Sequence, residues 1–190
     1  FAKSGSVLVF CATKNDVQNV IKNILKFLEI LELNNELPHN ALQYSENPNL
    51  ESFEMSKEWF GEDNLLTNAL HRGIAYHFWP LPQQIRLSIE DEFRKNKIRI
   101  LVCTNTLAQG VNLPIKTAVI YSLEHMLEGP QEDGSQKVYK VKKRDFWNIC
   151  GRAGRAGKET EGQIIFMNIT DRDKYVIADY LNPANMEEVN

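Results

Sequence analysis

The chain has 190 residues, 43% of them apolar and 25% charged, which is enough to bury one core without disulfides or a metal. Lys and Arg number 22 against 25 Asp and Glu, a formal net charge of −3, so the total charge calls for neither nucleic acid nor an anionic membrane. No apolar run approaches the ~18 residues of a membrane span.

Charge is nevertheless unevenly placed. Glu29 to Asp63 carries nine acids and one base, a local net of −8, whereas Lys137 to Lys158 carries eight bases and one acid, a local net of +7. The second stretch is suited to meeting anions. Cys11, Cys103 and Cys150 are odd in number, far apart and set in apolar stretches, which argues against a disulfide framework or CxxC-type zinc spacing. A cytoplasmic or other reducing compartment is the expectation. The opening residues lack the basic and apolar regions of a signal peptide, and the start almost directly on an apolar strand suggests a piece of something longer.

Val7 to Phe10 reads as a strand buried on both faces. Asp16 to Leu31 follows as an amphipathic helix, with apolar residues at Val17, Val20, Ile21, Ile24, Leu25 and Leu28 and Asn15 or Asp16 as its cap. Residues 33–63 are acidic and poor in apolar periodicity, and read as a peripheral insertion with a helical turn or two around Ser52 to Phe60. Then come a short helix at Asn64 to His71, a strand at Gly73 to His77, a helix at Pro82 to Arg94, and strands at Ile98 to Cys103 and Thr117 to Leu123. Residues 123–143 suggest a hairpin, from the turn formers Gly129-Pro130 and Asp133-Gly134 and the alternation through Val138 to Val141. A helix starts at Phe146, a last strand spans Gly162 to Met167, and a closing helix Asp171 to Leu181. Strands alternating with helices predict an α/β fold, a parallel sheet with helices on both faces. The domain is expected to span 1–170, with 171–190 as the closing helix and a linker to a following domain. In such a sheet ligands sit beyond the carboxyl ends of the strands, which directs attention to the residues just after Phe10, His77, Cys103 and Leu123.

Two segments stand out chemically. Thr104-Asn105-Thr106-Leu107-Ala108-Gln109-Gly110-Val111-Asn112-Leu113-Pro114 follows a strand with hydroxyls and amides that can hold phosphate oxygens, and Gly110 admits a close backbone approach. In Asn148-Ile149-Cys150-Gly151-Arg152-Ala153-Gly154-Arg155-Ala156-Gly157 two arginines three positions apart share one face, and guanidinium forks suit a polyphosphate. Gly154 to Lys158 is not a Walker phosphate loop, because two residues rather than four separate the glycines and Glu159 follows the lysine. Glu90-Asp91-Glu92 reads as solvated helix surface rather than an acidic metal box. No metal ligand set is assigned.

These pieces in order, Val7 to Lys14, Gly73 to His77 with Arg86, Glu90 and Phe93, Thr104 to Pro114, and Gly151 to Arg155, closely resemble the second RecA-like domain of superfamily 2 helicases. Within that superfamily the chain is most similar to the DExH-box group of superkiller, antiviral and archaeal repair helicases, and the likeness runs from about Ser6 to Met167. The resemblance implies a RecA-like fold and the C-terminal half of an ATP-dependent helicase. Arg152 and Arg155 would be arginine fingers on an ATP held, with Mg2+, mainly by the preceding RecA-like domain of the same polypeptide. Gly110, Asn112, Asn148 and Gly151 would lie at the nucleotide edge. Cys11, Ala12, Thr13, Lys14, His77, Arg86, Thr104 and Thr106 would meet a single strand, and Lys140 and Lys142 of the hairpin a duplex junction. Asn148 stands where the family usually has Gln. His77-Phe78-Trp79-Pro80-Leu81 replaces a frequent HHAGL, leaving Trp79 as either a stacking face for a base or a packed core aromatic. Without its own Walker A and DExH motifs the 190-residue piece is expected to be inactive alone. The competing class is a non-catalytic RecA-like scaffold that binds nucleic acid; a kinase or GTPase core fails for want of a phosphate loop.

Overall fold

Four strands of the sheet are short apolar runs with little surface left to water. In β1 (Val7–Phe10) and β2 (Ile74–His77) every residue is buried, as are three of four in β3 (Ile100–Cys103) and β4 (Thr117–Ile120). The computed structural model describes residues 5–36, 40–45, 47–107, 113, 115–130, 136–154, 162–167 and 170–182. Between the strands lie α1 (Lys14–Leu33), α2 (Glu51–Phe60), α3 (Leu65–Leu70) and α4 (Gln83–Arg94). A hairpin of β5 (Glu124–Pro130) and β6 (Gln136–Lys140) comes next, then α5 (Lys143–Cys150), β7 (Gln163–Phe166) and α6 (Asp171–Leu181).

Five strands form one parallel sheet in the order β2-β3-β1-β4-β7. Phe10 pairs with both Cys103 and Ile120, His77 with Cys103 and Ile120 with Phe166. The five carboxyl ends are therefore level, and the turns that leave them form one edge. The route from β1 across β3 to β2 and back, with right-handed crossovers, puts α1 and α3 over one face and α4 over the other. This is the α/β architecture with a small antiparallel hairpin that the alternation of elements predicts.

Three local expectations are corrected. Helix α1 begins at Lys14, not Asp16, because Thr13 and Asp16 form a reciprocal capping box: Asp16 N donates to Thr13 Oγ1 and Thr13 N to Asp16 Oδ2, both at 3.2 Å. The described residues of 33–63 are tied in rather than merely peripheral. Ala41 and Leu50 join the core, and α2 packs on α3 and α4. Its inner face is polar: Ser52 and Ser56 are fully buried, and Ser56 Oγ lies 2.8 Å from Thr67 Oγ1.

The third correction concerns the acids of α4. Only Asp91 is surface, paired with Lys95 at 2.6 Å. Glu92 is buried and caps α2 from outside, accepting from the main-chain N of Glu51 and Ser52 and from Ser52 Oγ. A carboxylate satisfying the free N–H groups of a helix start also complements its dipole.

The hairpin is braced at its root. Val141 N donates to Leu123 O at 2.9 Å, and the buried Tyr180 hydroxyl of α6 donates to Val141 O and approaches Leu123 O at 3.4 Å. Glu124 takes Lys140 from β6 at 2.8 Å and Arg172 from α6 at 3.1 Å. Lys143 at the start of α5 pairs with Asp179 at 2.9 Å.

Candidate nucleic-acid and nucleotide interfaces

At the level carboxyl ends, main-chain bonds stitch neighbouring turns together. Cys11 N donates to Cys103 O at 2.9 Å, Thr104 N to His77 O at 3.3 Å and Tyr121 N to Phe10 O at 2.9 Å. Ser122 Oγ accepts from Ala12 N at 2.9 Å and donates to Asp16 Oδ2 at 3.0 Å, tying the end of β4 to the start of α1. The turns after β1, β2, β3 and β4 are thus one rigid ledge.

Side chains on that ledge divide sharply. Cys11, Ala12, His77 and Thr104 are buried, leaving little beyond main chain at the edge. Burial also pushes the thiols of Cys11 and Cys103 far above their ordinary range, so both stay protonated. Thr13 is half-buried, with its hydroxyl oxygen engaged by the cap, and Lys14 is exposed. Arg86 is half-buried on α4, its guanidinium 5.3 Å from the centre of the Trp79 ring. Trp79 is 69% exposed, so it is no core aromatic. Thr106 lies in a short 3-10 turn, Asn105–Leu107.

His77, expected to meet the strand, is a buried partner of Glu90. Its Nε2 is 2.8 Å from Glu90 Oε1, and its buried Nδ1 has no hydrogen-bond partner among the described residues. Desolvation lowers its pKa against the opposing pull of Glu90. An imidazolium would bury an unpaired N–H, so the neutral ring donating from Nε2 fits this site.

The arginine turn lies at the opposite edge. After α5 the chain tightens through Gly151 N to Trp147 O at 2.8 Å and Arg152 N to Ile149 O at 3.1 Å, then Ala153 bridges in parallel to Ile115, ahead of β4. Gly154 N donates to Ile115 O at 2.9 Å with φ of 84°, a left-handed backbone that favours glycine. Gly162 presses on the same peptide: a Cβ there would collide with Ala153 C and Gly154 N. Arg152 is half-buried on this fixed turn, beside the exposed Asn148 and Gly151. The donors presented, guanidinium and amide, fit phosphate oxygens. Gly110, Asn112 and Arg155 lie outside the described residues.

The basic run is partly neutralised, since Lys140 and Lys143 pair with Glu124 and Asp179; Lys142 is exposed. One residue escaped sequence reasoning. Asp145, 1% exposed in the first turn of α5, receives Asn105 Nδ2 at 3.4 Å and so joins the turn after β3 to the helix that leads into Arg152. Its signal was available, as the single acid among eight bases. Among the described residues, no helix is long and apolar enough to cross a membrane.

Comparison with known proteins agrees with this layout. The helicase conserved C-terminal domain family matches residues 26–157. The chain is 32% identical over 186 residues to the Hachiman protein HamB of Bacillus cereus, covering 97% of this chain and 15% of that protein. It is 29% identical over 175 residues to the ATP-dependent DNA helicase Hel308 of Methanococcus vannielii, covering 90% and 21%. It is 30% identical over 173 residues to the ATP-dependent DNA helicase homolog MER3 of Arabidopsis thaliana, covering 88% and 14%. The chain thus spans about a fifth or less of these relatives. With its parallel sheet, its GRAGR sequence and these matches, the chain belongs to the helicase conserved C-terminal domain family of superfamily 2.

Proposed function

We propose that this domain is the trailing RecA-like half of an ATP-driven nucleic-acid motor, gripping a single strand at one sheet edge and completing an ATP site at the other. The observation that carries this reading is the fixed turn of residues 151–154: Ile115 and Gly162 hold the backbone of Ala153 and Gly154, next to Arg152, before any nucleotide arrives. A guanidinium positioned in advance loses little freedom when charge develops on transferring phosphate oxygens.

In this reading Arg152 and Arg155 hold the terminal phosphates of an ATP seated with Mg2+ on the preceding domain, while Gly110, Asn112, Asn148 and Gly151 line the same cleft. Lys14, Thr13, Thr106, Arg86 and the main chain around Cys11, Ala12 and Thr104 contact the strand backbone. His77 supports that ledge from beneath. Lys142, with Lys140 once drawn from Glu124, faces a duplex junction.

ATP supplies binding energy that draws the two halves together, and its loss releases them, so the grip on the strand alternates. The 190 residues alone, having no phosphate loop, do not turn ATP over. Measuring ATPase in the full protein with and without single-stranded RNA or DNA tests the reading. Strand-dependent stimulation is expected, and turnover indifferent to every nucleic acid would overturn it. The same comparison chooses between RNA and DNA.

A further inference from the structure

We propose that Trp79 is a stacking platform for one nucleobase of the bound strand, a contact that gives the β2 end of the ledge affinity for bases rather than phosphates. This rests on the strand-binding reading above.

The turn from Phe78 to Leu81 is pinned at both ends. Phe78 and Leu81 are buried, Leu81 N donates to Phe78 O at 3.3 Å, and the Tyr76 and Phe78 rings stack at 5.1 Å with 6° between their planes. Trp79 and Pro80 project from between these anchors into solvent. An indole 69% exposed on so fixed a turn leaves unused a large apolar face whose burial is favourable.

One face of that ring is occupied. Arg86 stands 5.3 Å from its centroid, and the buried Arg86 Nε has no hydrogen-bond partner among the described residues. The indole is therefore that cation's neighbour in place of an acceptor, and the arrangement restrains the ring as well as the guanidinium. The other face is left for a ligand.

The surroundings choose a flat aromatic ligand over a protein surface. The exposed chain neighbours are Pro80, Gln83 and Gln84, with Leu87 the exposed large apolar side chain on the same helix, less apolar area than protein interfaces gather around an aromatic anchor. Thr104 N bonded to His77 O places this turn beside the ledge of the proposed track, and the end of β1, which leads to Lys14, lies two strand spacings away, about 10 Å. Every base offers a π-face to such a platform, whatever its sequence.

The test is fluorescence anisotropy of the full protein with labelled oligothymidylate and with a strand of equal length whose sugar-phosphate backbone carries no bases. Trp79→Ala should weaken binding to oligothymidylate roughly 5- to 150-fold, leave the base-free strand within about twofold, and keep the melting temperature, because the ring is exposed. Trp79→Phe should restore most of the affinity. An unchanged oligothymidylate affinity in Trp79→Ala, or equal losses on both strands, would overturn the platform while leaving strand binding intact. Failure of the wild-type protein to bind either strand would instead remove the strand-binding reading, and this inference with it.

Discussion

At the end of β2 the His77 ring is closed off from solvent against Glu90, 2.8 Å away. Burial holds its pKa below the ordinary value of 6.5. As pH falls from that value, an unfolded chain takes up a proton at this position before the folded one does, so the unfolded state binds more protons and stability declines. His77→Asn should flatten that part of the stability-pH curve, read from urea midpoints between about pH 7 and 5; an unchanged slope would contradict the neutral ring. Glu92 makes a complementary case. Removing it in Glu92→Ala strands the buried Ser52 hydroxyl and two helix-start N–H groups, for a predicted loss of about 2–4 kcal/mol. Glu92→Gln keeps an acceptor and relieves the burial that raises the carboxyl's pKa, so its loss should be clearly smaller in the same midpoints. Neither role was legible in the sequence. A histidine ending a strand and an acid on a helix look solvated until a distant segment covers them, and here the covers are α4 for His77 and residues 51–52 for Glu92.

Among elements, those built on apolar burial were legible and those built on polar contacts were not. The strand ending at Phe10 and the helix carrying Ile85, Ile89 and Phe93 follow from periodicity alone. Helix α2 was reduced to a turn or two because its buried face is Ser52 and Ser56, which no hydrophobic pattern marks. The hairpin was seen through its second arm, whereas β5 has no alternation and depends on its ladder with β6. Its brace on α6 gives a prediction at this scale. Tyr180→Phe removes a buried hydroxyl from Val141 O and Leu123 O and should cost about 1–2 kcal/mol of stability. In the full protein it should lower duplex unwinding more than ATPase, since it loosens the hairpin root and not the arginine turn; equal losses would argue against a hairpin that acts on duplex. The arginine turn has its own requirement. Gly162→Ala would drive a methyl into the Ala153–Gly154 peptide, and ATPase of the full protein should fall even where the melting temperature of the variant remains well above assay temperature.

For the whole molecule, the proposed function depends on two edges of one sheet that must communicate. The ledge after β1, β2, β3 and β4 lies at the carboxyl end, the arginine turn beside Ile115 at the amino end, and the Asn105–Asp145 hydrogen bond joins the ledge to the start of α5, the helix that runs to the arginine turn. Asn105→Ala should therefore reduce stimulation of ATPase by nucleic acid more than it reduces the basal rate; proportionate losses would remove the link from the mechanism. The carboxyl-end ledge could be read from strand order rules, but the place of Arg152 could not, because it is set by pairing between residues 115 and 153, far apart in sequence. The most direct test is turnover against nucleotide binding in the full protein carrying Arg152→Ala or Arg155→Ala. A loss of about 10³- to 10⁵-fold in nucleic-acid-stimulated ATPase, with ATP affinity nearly unchanged, is the predicted result; wild-type turnover in both variants would contradict the finger role and leave a strand-binding scaffold in its place.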